Sequence, residues 1–351
     1  MLHLTDPPRN PAPTPSRRSH SIRRTSTILM HWPDGFGTQL QLEGRARDLV
    51  TGDDRDGGVV REDALTAGVA VDRTIEEIAA DPPRPELARL VGASGGGRLR
   101  AAIAEAVPED RDAGTPLYLL LDDLAGATLI APFAWSQSDD EWMERARERL
   151  AAEPATPRQP GRNMQGVCAG FRPGSSALTA DGNVDLSKRH NVASVPPLVA
   201  PDDPMGWHDV PPHPTIAMRR ARRIDVWRTD GDVVVDAMFR DSCWRPDGTE
   251  VAVHEYGLDV VIDGTSGLVE SVHAEPRVLP YPECPAAAPN VSWLVGVAAR
   301  DLRAEVLDRL RGVDCCTHLN DALRALAEVP VLAELLDARD LEGVRPDGGE
   351  L

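Results

Sequence analysis

The sequence predicts an α+β fold: a tandem duplication of one antiparallel-sheet-plus-two-helices unit, with the two units packed as a pseudo-dimer. Three observations lead there. Residue pairs recur in one order along the chain. Stretches in the second half alternate with period two around turn residues. Apolar residues at helical spacing follow those stretches.

The recurrence comes first. Arg23-Arg24, Ile28 and Asp34-Gly35 have the same separations as Arg219-Arg220, Ile224 and Asp230-Gly231, and Arg47-Asp48 answers Arg240-Asp241 after a short loop difference. The order continues with Ala80-Asp81-Pro82 and Ala274-Glu275-Pro276, then Leu90-Val91-Gly92 and Leu294-Val295-Gly296. Leu99-Arg100-Ala101 and Leu302-Arg303-Ala304, Asp122-Asp123 and Asn320-Asp321, and Pro132 and Pro330 complete it. These pairs place a degenerate first copy at 20–135 and a second copy at 216–335. Around them the composition suggests a disordered N-terminal segment at 1–19 and an acidic tail at 336–351. Between them, 136–215 reads as a Pro/Gly-rich linker with a short charged helix, Trp142–Ala152, and an ordered loop, Gly166–Ser176.

In the second copy, Ile224–Trp227 and Asp232–Phe239 alternate around Thr229-Asp230-Gly231, a hairpin signal. Val251–Ile262 and Gly267–Ala274 form another around Asp263-Gly264. Strand periodicity puts His254, Tyr256, Leu258, Val260 and Ile262 on one face, so His254 should point to the covered side, while Glu255 and Asp259 should be solvated. An irregular loop, Tyr281–Pro285, leads to a helix capped by Asn290 or Ser292 and running to about Arg311. Thr317 can cap a second helix bearing Leu319, Leu323 and Leu326, which Pro330 ends or kinks.

Composition bounds the function. A net charge of −18 repels phosphate backbones, so no nucleic-acid partner is expected. No apolar run approaches the roughly 20 residues of a membrane helix, and the first residues lack an apolar core, so no membrane partner and a cytoplasmic location are expected. Five cysteines, an odd number, read as free thiols or metal ligands rather than a disulfide framework.

The candidate chemistry lies in the second copy. Cys316 directly precedes a helix N-terminus, where amide N–H groups and the helix dipole should depress its pKa. His318 follows two residues on, Cys284 lies in the preceding loop, and His254 is the inward histidine of the sheet. Thiolates and neutral imidazoles suit zinc or a similar metal such as iron, so Cys316, His318, Cys284 and His254 are the candidate ligands. Asp321, in the first helical turn, is a candidate general base or acceptor for His318, with a plain electrostatic role at the helix end as the alternative. The first copy has Tyr118, Leu119 and Leu120 where the second has Cys316, Thr317 and His318, and has no cysteine. Cys315, Cys243 and His273 read as secondary, and Cys168, with His190 and His208 nearby, could cover or complete the site.

Arg-Arg-Ile224-Asp225-Val, His254-Glu-Tyr-x-Leu with Asp263, Cys284-Pro285 and Cys316-Thr317-His318-Leu319 together resemble the bacterial domain-of-unknown-function family 2889, over about 218–332. That family has Gly before the cysteine where this chain has Cys315. The resemblance implies the unit but names no reaction. The residues themselves suggest a metal- or thiol-dependent enzyme, a hydrolase or lyase with a small-molecule substrate. In the metal-free variant Cys316 is nucleophile and His318 base. The alternatives are a non-catalytic ligand- or partner-binding module and a scaffold with buried thiols.

Overall fold

The computed structural model describes residues 8–35, 37–137, 164–185, 190–210, 213 and 216–343. The helix expected at Trp142–Ala152 lies outside them. The first half, placed by the recurring pairs, carries strands β1 (Ser21–His31), β2 (Leu40–Thr51), β3 (Gly57–Val69) and β4 (Ile75–Asp81), and the alternating stretches of the second half form strands as expected. After the short β5 (Ala193–Ser194) come β6 (Ala217–Thr229), β7 (Asp232–Trp244), β8 (Glu250–Ile262) and β9 (Val269–Val278). The β6–β7 turn is Asp230-Gly231, with φ of 53° and 96°, the left-handed pair that a two-residue hairpin turn requires.

All pairings are antiparallel, and the strands make one sheet in the order β4-β3-β2-β1-β6-β7-β8-β5, with β9 also pairing β8. Two four-stranded meanders therefore join edge to edge through β1 and β6, where Ser26 lies opposite Arg222.

Helices follow each meander: α1 (Leu99–Ala106), α2 (Pro108–Asp112) and α3 (Pro116–Ile130), then α4 (Leu302–Arg309), α5 (Thr317–Ala325) and α6 (Val329–Gly343). Among the described residues there are three per half rather than two. Pro330 does not end a helix. It sits in the first turn of α6, where its missing N–H has no intrahelical acceptor to lose. The chain thus stays helical past Leu335, and Leu336 is buried. The helix expected from Asn290 is instead a 3-10 segment, Cys284–Leu294. Pro289 lies inside it, and Gly296 at φ 81° turns the chain before α4.

The stretch Pro116–Gln137 is long and apolar enough to cross a membrane by length and composition, against the expectation of no such run. It packs on β1, β2 and β3, and 72% of its most apolar window is buried.

Helices cover one sheet face. The other is covered by irregular chain, including residues expected to be disordered. Asn10 N–H donates to Arg277 O (2.9 Å), Ala12 N–H to Glu255 Oε1 (2.7 Å), and Arg17 pairs with Asp203 (2.9 Å). Glu255, expected in solvent, is therefore fully buried and held by Arg240 at 2.7 Å. Asp259 is exposed, as the strand period requires.

Under the helices the apolar side chains form two clusters, each drawn mostly from one half. Between them runs a band of buried charge. Arg24 grips Asp48 through two 2.6 Å bonds and also reaches Glu328. Arg220 grips Asp241 through two 2.9 Å bonds and reaches Asp321 (2.9 Å) and Asp123 (3.2 Å). Arg100 to Asp321 (2.5 Å) and Arg303 to Asp122 (2.7 Å) cross between the halves.

Gly126 explains itself here. A Cβ at this mid-helix position would fall 2.2 Å from Arg220 Nη1 and 2.5 Å from Asp321 Oδ2. Gly126→Ala gains roughly 1 kcal/mol in helix propensity. It is nonetheless expected to destabilise by about 1–3 kcal/mol, because the guanidinium is pinned by three carboxylates. A melting temperature equal to or above wild type would contradict this.

Candidate functional site

Strand period and helix start bring two histidines together. His254 on β8 pairs in register with Asp241 on β7, and both face the helices. His318 lies in the first turn of α5, which packs against β7 and β8. The two imidazoles stack with centroids 3.5 Å apart and planes 15° apart. His318 Nε2 is 3.7 Å from Asp241 Oδ2, and one ligand atom from each of Asp241, His254 and His318 lies within 4.8 Å of the others.

Neither histidine is charged at neutral pH. Burial, then Arg220 and Arg222, pushes His318 down to about 3, and burial followed by the neighbouring His318 pushes His254 well below its ordinary value. His254 Nδ1 is buried without a hydrogen-bond partner. The cluster is nearly closed, with 16% of the His318 side chain exposed.

Of the candidate ligands, His254 and His318 therefore converge, while the thiols stand aside. Cys316 lies directly before the helix, as expected, but it and not Thr317 is the N-cap of α5: Thr317 is the first helical residue, and Cys316 Sγ lies 4.0 Å from His318 Nδ1. Its pKa is raised rather than depressed. Desolvation outweighs the pull of the Tyr256 hydroxyl and of the Leu319 and His318 amides. Cys284 lies at the start of its 3-10 segment, near Cys168 and Gly170, and belongs to no three-ligand group with the histidines.

Asp321 bonds to Arg100 and Arg220 and makes no hydrogen bond to His318. Burial alone would raise its carboxyl, but Arg100, Arg220 and Arg222 outweigh burial and hold it below the usual range, so it is an ion-pair carboxylate without the proton affinity of a general base.

The secondary residues scatter. Cys243 is buried in the other apolar cluster and His273 is exposed. His208 is on the opposite face, between Thr25 Oγ1 (3.1 Å) and Thr27 Oγ1 (2.7 Å). His190 packs on Tyr281, centroids 5.5 Å apart.

Asp241 is the residue that sequence reasoning missed. It shares strand parity with Ala237 and Phe239, which face the helices, and that parity could have found it. In the first half the corresponding pair is Asp48 opposite Arg61, and Leu120 packs beside Gly44, so no imidazole is present there.

No curated protein and no solved structure matches the chain. Its region from β6 to the start of α6, residues 218–332, matches the family described as "Protein of unknown function (DUF2889)".

Proposed function

We propose that Asp241, His254 and His318 hold one divalent metal, zinc or iron, and that the protein is a metal-dependent hydrolase or lyase acting on a small molecule. The observation that carries this reading is the unpartnered Nδ1 of a buried, neutral His254 stacked on a second neutral imidazole beside a carboxylate. Such a nitrogen is costly to bury without a partner, and a metal ion would supply one. Two imidazoles and a carboxylate fit zinc or iron and leave positions for water and substrate. Arg220 occupies two of the roughly four lone-pair sites of Asp241, so the carboxylate keeps capacity for an ion. Cys316 then touches the far nitrogen of a ligand and is not itself one.

The reading with Cys316 as nucleophile is weaker. Its thiol is pushed up by burial and its contact with His318 is long, at 4.0 Å. The near-closure of the cluster favours a second reading, a structural metal in a non-catalytic module. Duplication forms part of the same proposal. The repeated meander-then-helices order and the matching Arg24–Asp48 and Arg220–Asp241 grips support two copies joined as an internal pseudo-dimer, with the site kept in one.

After reconstitution with zinc or ferrous iron, wild type is expected to retain about one metal per chain, measured by elemental analysis. His254→Ala and His318→Ala should lose it while staying folded by circular dichroism, and Cys316→Ser should keep it. No stoichiometric metal in wild type, or undiminished metal in His254→Ala, would sink the centre. Bound metal without turnover of ester, amide or hydroxy-acid substrates would select the structural reading.

A further inference from the structure

Residues 8–17 cross the sheet face opposite the helices as a strap. Pro11, Pro13 and Pro15 alternate in it with Ala12, Thr14 and Ser16. Prolines and the residues before them favour extended backbone, and prolines bring no N–H, so the strap cannot join the sheet as a regular ladder strand. Side chains from elsewhere fasten it instead. Asn191 Nδ2 donates to Pro8 O (3.1 Å), Trp207 Nε1 to Thr14 Oγ1 (3.1 Å) and Arg23 Nη2 to Pro15 O (3.0 Å). Ser16 Oγ donates to Asp202 Oδ2 (2.6 Å).

One fastening stands out by its place in the sheet. Ala12 donates its N–H to Glu255 Oε1 (2.7 Å), and its carbonyl accepts from Arg240 Nη2 (2.8 Å). Arg240 and Glu255 are joined at 2.7 Å and lie opposite each other in the β7–β8 ladder. The next rung is Asp241 opposite His254. The strap therefore closes a pair on one face whose chain neighbours are two of the three proposed ligands on the other. Arg240 and Glu255 are 1% and 0% exposed. A buried charge pair keeps its geometry only while its remaining donors and acceptors are satisfied. Without Ala12, a carboxylate oxygen and a guanidinium N–H lose their partner and turn to water. The ladder can yield there, because its register breaks at the bulge between Asp241 and Ser242.

We propose that the strap is a releasable clamp, its docking on the Arg240–Glu255 pair coupled to occupancy of the Asp241–His254–His318 centre. Docked, it holds β7 and β8 in the metal-binding register, and bound metal in turn holds the strap down. This rests on the metal reading above. Arg240 and Glu255 are positioning residues that act through their neighbours. Such coupling is reciprocal, so it can be read from either side.

The test uses the full chain with Zn(II). Hydrogen exchange, followed by mass spectrometry on a peptide spanning residues 10–16, reports the strap through the amides of Ala12, Thr14 and Ser16. Bound zinc is expected to slow that exchange by about 5–150-fold, the usual range of coupling between two sites. In His254→Ala, which cannot hold the ion, zinc should have no effect on the strap. A merely structural strap would ignore metal in wild type too. From the other side, the Thr14→Val/Ser16→Ala double variant loses two fastenings on the face opposite the ligands. It should bind zinc at least about 5-fold more weakly, measured by competition with a chelating dye. Strap exchange unchanged by bound zinc, or undiminished zinc affinity in the folded double variant, overturns the clamp and leaves the centre standing. A wild type that holds no zinc overturns both.

Discussion

Arg220→Ala is expected to cost about 3–5 kcal/mol of folding stability, the range for removing one partner of a buried ion pair. Arg220 is 1% exposed and is the shared partner of Asp241, Asp123 and Asp321. Deleting it leaves three carboxylates from β7, α3 and α5 facing one another away from water, with only Arg222 and Arg100 still in reach of two of them. The cost arises from desolvated charge left behind, and the intact network need not be worth that much against an apolar replacement. An exposed pair gives the contrast. Arg228 and Asp337 are bidentate, but their side chains are 38% and 43% exposed, so Arg228→Ala should cost under about 1 kcal/mol. Urea unfolding followed by circular dichroism measures both. A loss below about 1 kcal/mol for Arg220→Ala would mean that the buried band is not a connected unit.

The sequence made the sheet legible wherever chemistry is local. Alternation along β6 to β9 and the Asp230-Gly231 turn are read within a few residues, and they placed His254 on the covered face. The approach to α5 put Cys316 directly before its start, although the sequence places the cap itself one residue too late, at Thr317. What the sequence hid depends on distant partners. Asp241 was missed because the β7–β8 loop and the bulge between Asp241 and Ser242 obscure which residue faces His254. The sign of the Cys316 shift was missed because amides at a helix start are visible in sequence and the depth of burial is not. The polar N-terminal segment looked disordered. Its order comes from arginines and carboxylates on the far sheet face and in the linker, hundreds of residues away.

Acidification should unfold the metal-free protein well before its carboxylates titrate. His208 is held between two threonine hydroxyls, and burial, then Arg47 and Arg45, pushes its pKa down to about 3. Unfolded, it returns to about 6.5. Its folded-state pKa is the lower one, so between these values the unfolded chain binds more protons. The stability is fully present above the unfolded pKa and drains away as pH falls toward the folded one. His318 at about 3, His190 at about 4 and His254 well below its ordinary value act with the same sign. Each can contribute up to about 1.4 kcal/mol per pH unit within its window. At lower pH, Asp122 adds to the loss. Burial would raise its carboxyl, but Arg303, Arg324 and Arg100 outweigh it, and Asp321 behaves alike. Glu328 works the other way, since burial raises it above the usual range despite Arg24 and Arg303. The histidines act first, so the urea midpoint should fall steeply from about pH 6.5 to about pH 4, with several protons taken up on unfolding. His208→Gln should reduce that uptake by about one near pH 5. A midpoint that stays level between about pH 7 and about pH 5 would show that these imidazoles are hydrated in the folded chain.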